Sequence, residues 1–357
     1  MSAASVPPES LLVVRLGALG DIVHTLHAVA TLRHALPDAR IGWVVEERWA
    51  ELLCSKETPR SGLRTPSRPL VDFVHSVDTK RWRKSLLSRQ TQQQIAGALS
   101  EVRKQEYQLA VDFQGALKSA VIARCAGAET VVGMEYPREP PSRALYKRRI
   151  ATSGAHVIEQ YRSLAEAVAQ KSLPSPAIEF PADEKAVEAI REKLIEISEN
   201  FVLMNPGAGW GAKEWPAERY GEVAKVLAER GLVSLINFGP GEEDLATGVE
   251  AASDGAARAV SCSIAELIAL ARRARLFIGG DTGPLHLAAA LKVPVVAIFG
   301  PTDPARNGPY GTRSIVLRDP ASRTSLSHTS DRDAGLLNIT SDQVIAAARN
   351  LLENSRA

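Results

Sequence analysis

Phe277-Ile-Gly-Gly-Asp-Thr-Gly-Pro-Leu-His-Leu-Ala-Ala-Ala-Leu291 is the stretch that decides the fold of this chain. An apolar run from Leu276 to Ile278 enters a glycine turn and reads as a buried strand. A helix then opens at Gly283-Pro284, with proline where a first-turn N–H has no partner to lose. Free backbone N–H groups and the positive end of the helix dipole converge there, so the turn is built to hold an anion. Asp281, Thr282 and His286 surround it. A second apolar run, Val293 to Phe299, follows at once and ends in Gly300-Pro-Thr-Asp-Pro304. Strand, glycine turn, helix and strand in this order predict a parallel sheet with a nucleotide-diphosphate site at its carboxyl edge.

The alternation extends in both directions. Leu11–Leu16 reads as a first strand, Gly17-Ala-Leu-Gly-Asp21 as a turn, and the helix after it runs to about Leu36, with Ile22, Leu26, Val29 and Leu36 at helical spacing. Further strands are expected at 41–45, 71–74, 109–111 and 131–133, with helices near 90–104, 116–126 and 158–170. Residues Ser55–Arg68, rich in Pro, Ser, Arg and Gly, read as a loop, and Lys171–Pro181 as a linker whose prolines disfavour helix. Helices near 184–197, 217–230, 242–252 and 264–273 and strands at 201–204 and 233–238 follow. Ser322–Asp333 reads as a polar loop and 341–352 as an amphipathic helix. The expectation is an α/β protein with two doubly wound parallel sheets. A disordered tail occupies 1–10, one Rossmann-like domain 11–175 and a second 176–340, and a final helix at 341–357 packs back on the N-terminal domain.

Composition narrows the class. A chain of 357 residues with 45% apolar side chains can bury two ordinary cores. Cys54, Cys125 and Cys262 lie far apart, matching neither a metal spacing nor a disulfide framework, so a reducing cytoplasm is expected. Met1–Ser10 lacks the basic and apolar regions of a signal peptide, and no apolar run reaches the ~18 residues of a membrane span. Charge is unevenly spread: residues 1–175 carry 24 Lys+Arg against 17 Asp+Glu, and the remainder 19 against 24. The basic half suits an anionic partner.

Five constellations could carry chemistry. Gly17-Ala-Leu-Gly-Asp21 lacks the third glycine of a dinucleotide fingerprint, but it sets Asp21 at a helix N-terminus. There Asp21 is either a carboxylate that steadies the helix start or a general base. A base kept ionised by the dipole is weak, and helps only when bond breaking at the other partner has made the hydroxyl acidic. His24, one turn on, is an alternative base or a hydrogen-bonding neighbour. Asn205-Pro-Gly-Ala-Gly-Trp-Gly-Ala-Lys-Glu-Trp-Pro216 permits close backbone approach to a ligand and offers Lys213 to a phosphate. It is not a Walker loop, which disfavours nucleoside triphosphate hydrolysis. Phe238-Gly-Pro-Gly-Glu-Glu243 places Glu242 to accept from ribose hydroxyls or to cap a helix. Lys80-Arg-Trp-Arg-Lys84 and the group Arg138, Arg143 and Lys147-Arg-Arg149 are basic, yet no nucleic-acid motif accompanies them. They suit an acidic sugar or a lipid headgroup, or are simply solvated. Asp331-Arg-Asp333 has the spacing to hold a metal but lies in a polar loop far from any strand end. His34, His75, His156 and His328 form no ligand spacing, and no nucleophile elbow is present.

Together these residues resemble the lipopolysaccharide heptosyltransferases, glycosyltransferase family nine, from Leu11 to about Tyr310. The similarity rests on Gly20-Asp-Ile-Val-His-Thr-Leu26, Trp43-Val-Val-Glu-Glu47, Lys80-Arg-Trp-Arg-Lys84, Asp112-Phe-Gln-Gly-Ala-Leu-Lys-Ser119, Arg138-Glu-Pro140 and Gly280-Asp-Thr-Gly-Pro-Leu-His286. It is nearest to the type I members, which add the first heptose to the Kdo of the inner core. The resemblance implies a GT-B architecture, two Rossmann-like domains facing a cleft, acceptor on the first and donor on the second. It implies ADP-heptose as donor and Kdo-lipid A as acceptor, inverting transfer, no cofactor, no metal and no nucleic acid. By resemblance Asp21 is the base, and Lys213, Asp281, Thr282, Gly283 and His286 hold the donor, with Glu242 on its ribose. Lys80, Arg81, Arg83, Lys84 and Arg138 would hold the acidic acceptor, and the basic half would meet the anionic cytoplasmic face of the inner membrane. Two features depart from the family: a longer Ser55–Arg68 loop and an unlike tail after Tyr310. A glycosyltransferase with another sugar, a nucleotide-sugar-binding module without turnover, and a dehydrogenase are the competing readings.

Overall fold

The structure is a computed structural model in which residues 7–172, 176–325 and 331–353 are described. The chain divides into two compact units, Met1–Ala182 and Asp183–Ala357. In the first, β1 (Ser10–Val14), β2 (Arg40–Glu46), β3 (Phe73–Val77), β4 (Leu109–Asp112), β5 (Thr130–Met134) and β6 (Arg148–Ile150) form one sheet in the order β3-β2-β1-β4-β5-β6. In the second, β7 (Phe201–Asn205), β8 (Val233–Phe238), β9 (Ala257–Ser261), β10 (Phe277–Gly280), β11 (Val295–Phe299) and β12 (Ser314–Arg318) are ordered β12-β11-β10-β7-β8-β9. The twelve strands pair only in parallel, with Leu11 opposite Ile41 and Leu109, and Phe277 opposite Leu203 and Val295.

Parallel pairing explains the sequence pattern. Crossover helices cover both faces of each sheet, so the central strands are buried on both sides and read as unbroken apolar runs. In each unit successive strands are added in one direction and then in the other. This puts a topological switch point between β1 and β4 in the first sheet and between β7 and β10 in the second.

The edges are where expectation and structure part. β6, β9 and β12 were not expected, nor were the short helices Thr79–Lys84 and Ala334–Asn338. All three strands lie at sheet edges, are only partly buried, and lack the apolar run that marks an inner strand. The expected 1–10 tail is shorter, since Ser10 opens β1 and the Glu9 N–H donates to Gln108 Oε1 at 2.8 Å; Met1–Val6 lie outside the described residues. The linker's Leu173–Ser175 and His328 also lie outside them. The final helix Ser341–Glu353 packs within the second unit. Its Val344, Ala348 and Leu351 join Met204, Tyr220 and Ile298 in the second unit's own core, where Trp215 Nε1 donates to Ile339 O at 2.9 Å. That apolar side is therefore spent on the unit that carries it. The Ser55–Arg68 loop winds around the buried Arg68 guanidinium, which donates to the carbonyls of Gly62, Leu63 and Val71.

One titratable group is half-buried at the edge of the first sheet. His75 stacks on Phe73 and its Nε2 lies 2.8 Å from the Tyr107 hydroxyl, whose ring fits only because residue 42 is glycine. Burial pushes the imidazole down to about 4. Between about pH 6.5 and 4 the unfolded chain therefore takes up a proton that the folded chain refuses, and stability falls with pH by as much as about 3 kcal/mol. Denaturant unfolding of wild type and His75→Phe should show their stability difference shifting in favour of the variant as pH drops from 7 to 5. A difference constant with pH would show that the ring titrates normally.

Candidate active site

The second unit's switch point is built from three turns. The β7 end runs through Asn205–Trp210 into a single 3-10 turn, Gly211–Lys213, that turns Lys213 inward. The β10 end gives Asp281, followed by helix Gly283–Ala290 with Thr282 as its N-cap and Pro284 in its first turn. Lys213 Nζ meets Asp281 Oδ2 at 2.5 Å, with both side chains only 9% exposed, and lies 4.1 Å from the centre of the Trp210 ring. His286 Nε2 lies 3.0 Å from Asp281 Oδ1. Burial alone would raise the Asp281 carboxyl; the hydrogen bond and charge of His286, and then Lys213, outweigh it and hold the group well below the usual carboxylate range.

The β8 end contributes the third turn. Glu242 caps helix Glu243–Ala252 by position and accepts from the Gly239 N–H at 2.7 Å. Its carboxyl lies against the Asn205–Trp210 turn: a Cβ at residue 207 would stand 2.2 Å from Glu242 Oε2, so a side chain there would displace the carboxyl from its place. Lys213, Asp281, Thr282, Gly283, His286 and Glu242 thus share the carboxyl edge of β7, β8 and β10, as the sequence suggested. Behind them, Asn237 Nδ2 donates to Asn205 Oδ1 at 2.7 Å, tying β7 to β8.

The first unit's switch point also holds a cation against a carboxylate. Asp21 lies in the first turn of helix Leu19–Ala35, after a cis peptide between Gly17 and Ala18. Its Oδ2 receives Arg15 Nη2 at 2.6 Å and the Ala18 N–H at 3.2 Å. Arg15 is 4% exposed in its side chain, Asp21 37%. The guanidinium is fixed further by Phe113 O at 2.8 Å and the Tyr161 hydroxyl at 2.9 Å. Sequence reasoning missed Arg15; its one signal was a charge at the end of an apolar strand. His24, the alternative base, is buried with its ring edge-on to His156 at 5.8 Å.

The expected acceptor cations ring the same edge of the first sheet. Asp78 ends β3 and its Oδ1 accepts from Arg81 N, starting helix Thr79–Lys84. Lys80, Arg81, Arg83 and Lys84 are exposed, and among the described residues none is paired with a carboxylate. Lys118 Nζ bonds Thr79 Oγ1 at 2.9 Å and lies 3.8 Å from Glu46 Oε1, joining the edges of β2, β3 and β4; it belongs to the Asp112–Ser119 motif. Arg138 is exposed at the β5 end, its backbone packed on Gly115. Asp112, by contrast, is fully buried. It accepts from the Ser119 and Tyr146 hydroxyls at 2.9 and 2.8 Å and from the N–H groups of Gln114 and Gly115, which is a structural role. Asp333 caps helix Ala334–Asn338 and accepts from Ser322.

Two Rossmann-like units, each with polar groups gathered at the switch point of a parallel sheet, are the two halves of a GT-B architecture. The profile of glycosyltransferase family 9 (heptosyltransferase) matches residues 97–333, and the chain belongs to that family. It is a glycosyltransferase. Lipopolysaccharide heptosyltransferase 1 of Pseudomonas aeruginosa is 31% identical over 86% of this chain and 83% of its own length. The protein of the same name from Escherichia coli K12 is 28% identical over 87% of this chain and 93% of its own. The solved E. coli heptosyltransferase WaaC with ADP superposes with a TM-score of 0.77 at 25% identity, covering 96% of this chain and 99% of that one.

Taking away the Lys213 ammonium strands a buried carboxylate. Lys213→Met should lower stability by about 3 kcal/mol, and adding Asp281→Asn should restore part of it. The contribution of the pair is fully present above about pH 4 and is lost as pH falls toward the lowered folded-state value of Asp281. Urea unfolding of the two single variants and the double variant measures the coupling; simply additive losses would mean that the two groups do not depend on each other.

Proposed function

We propose that this enzyme transfers heptose from ADP-heptose to the Kdo of Kdo-lipid A with inversion at the anomeric carbon, Asp21 serving as general base. The observation that carries the reading is the Asp21 carboxylate itself. It is partly open to solvent at the switch point, and one oxygen, Oδ2, is fixed by Arg15 and the Ala18 N–H. Neither of those bonds uses Oδ1, and this is the oxygen that takes the proton.

The steps follow from the groups at hand. The donor's diphosphate lies at the start of helix Gly283–Ala290, where first-turn N–H groups favour an anion. Lys213 has three N–H donors and so can keep Asp281 while also reaching a phosphate oxygen. Thr282 and His286 line that turn, and Glu242 takes the ribose hydroxyls. As the bond between the anomeric carbon and the diphosphate oxygen lengthens, positive character grows on the sugar ring. The acceptor oxygen attacks from the opposite face, its proton passes to Asp21, and ADP departs. Charge accumulating on the leaving diphosphate is met by fixed N–H dipoles and Lys213. A carboxylate is a weak base, which suits a step in which the hydroxyl becomes acidic only as bond breaking advances. Lys80, Arg81, Arg83, Lys84 and Arg138 hold the acidic acceptor, and the enzyme works at the anionic cytoplasmic face of the inner membrane. The ADP held by the E. coli relative supports the donor, and the heptosyltransferase 1 relatives support the acceptor.

Asp21→Asn should lower kcat by roughly 10²–10⁴-fold with affinity for ADP unchanged. A variant within about threefold of wild type would remove Asp21 as base, a lost base being worth at least about a hundredfold. Neutralising Arg81 and Arg83 together should raise the KM for acceptor and leave the KM for ADP-heptose alone; the reverse pattern would exchange the roles of the two units.

A further inference from the structure

Between helix Thr79–Lys84 and helix Arg89–Arg103 the chain makes a tight turn, Ser85-Leu86-Leu87-Ser88, closed by Ser88 N donating to Ser85 O at 2.9 Å. The corner of such a turn usually holds Gly, Pro, Asn or Asp. Here it holds two leucines, Leu86 53% and Leu87 92% exposed. The turn is anchored rather than slack. Thr91 is buried beneath it, its N–H donates to Ser88 Oγ at 3.1 Å, and the Ser85 and Ser88 hydroxyls each lie 2.9 Å from Thr91 Oγ1. Lys80, Arg81, Arg83, Lys84 and Arg89 flank the leucines, and no acidic residue occurs from Thr79 to Ser100. Of helix Arg89–Arg103 only Thr91 and Val102 are buried, so the segment stands on the surface.

We propose that this turn is a membrane wedge: Leu86 and Leu87 enter the interfacial region of an anionic bilayer while the flanking cations engage lipid phosphates. Apolar side chains at the tip of a rigid turn lose area to lipid at little entropic cost, since the turn is already formed. Basic residues beside them are each favoured near an anionic surface, and neither contribution alone gives firm attachment. Charge decides the occupant. A second copy of this chain would bring the same cations against one another, whereas an anionic lipid surface complements them. The inference extends the reading of the first unit as the acceptor side, but vesicle binding needs neither donor nor transfer, so the two can fail separately.

The test is co-sedimentation of the full chain with vesicles of phosphatidylcholine alone and of phosphatidylcholine mixed with phosphatidylglycerol. Wild type should bind the mixed vesicles, less so as salt rises, and leave the neutral ones. Leu86→Ser/Leu87→Ser should weaken that binding by about tenfold or more. The variant should keep its thermal midpoint and its transfer to a water-soluble Kdo acceptor. Wild type that ignores mixed vesicles, or a double variant that binds them equally well, would overturn the proposal. So would a wild-type chain that self-associates through these leucines without binding lipid. Vesicle binding that persists in a chain showing no heptose transfer would keep the wedge and sink the catalytic reading instead.

Discussion

A lysine ammonium and an aspartate carboxylate meet at the switch point of the second sheet, both nearly excluded from water. Neither charge could be kept there alone, because an unpaired ion in a dry site is costly. The pair ties the turn after β7 to the turn after β10, the two strands whose neighbours run off in opposite directions. The helix that starts beyond Asp281 is thereby aimed with its N–H groups toward the crevice that any parallel sheet opens at such a point. The proposed phosphate site rests on that one contact, with His286 behind it and the Trp210 ring beside it.

The first unit repeats the device with a different balance. Arg15 is as buried as Lys213, yet its carboxylate partner, Asp21, is much more open to solvent. Asp281 is gripped on both oxygens, whereas the bonds from Arg15 and the Ala18 N–H to Asp21 both fall on one. An aspartate held on two sides inside the protein serves as a fixed counter-charge. One held on a single side at a surface keeps an oxygen for chemistry. The same pairing of cation and carboxylate thus underlies the proposed binding role in one unit and the proposed proton-accepting role in the other.

Much of this was legible in the residues. Glycine turns between apolar runs located both switch points, because a buried strand leaves a continuous hydrophobic signature and a helix start after it leaves Gly, Pro or Asp. Lys213, Asp281 and His286 were found together because they lie in such turns. The edge strands were not legible: of Ala257–Ser261 only Ala257 and Val260 are buried and Arg258 is exposed, too irregular and short a pattern to separate from loop. Arg15 was hidden for a related reason. Its partners Asp21, Phe113 and Tyr161 are brought to it by the sheet order and by helix packing, which no local pattern encodes. The final helix was legible as a helix, but the unit that its apolar side would cover was not.

The leucine turn adds the question of where the reaction happens. A glycosyltransferase whose acceptor is a lipid gains by holding its acceptor-side cations at the bilayer, and Leu86 and Leu87 lie within the same basic segment. No helix among the described residues is long and apolar enough to cross a membrane. The most direct test of the central claim is mass spectrometry of Kdo-lipid A incubated with the protein and ADP-heptose. The account predicts a product heavier by one heptose residue, formed with release of ADP, and no such product from Asp21→Asn on the same timescale. Unchanged Kdo-lipid A beside intact ADP-heptose, or equal product from both proteins, would contradict it.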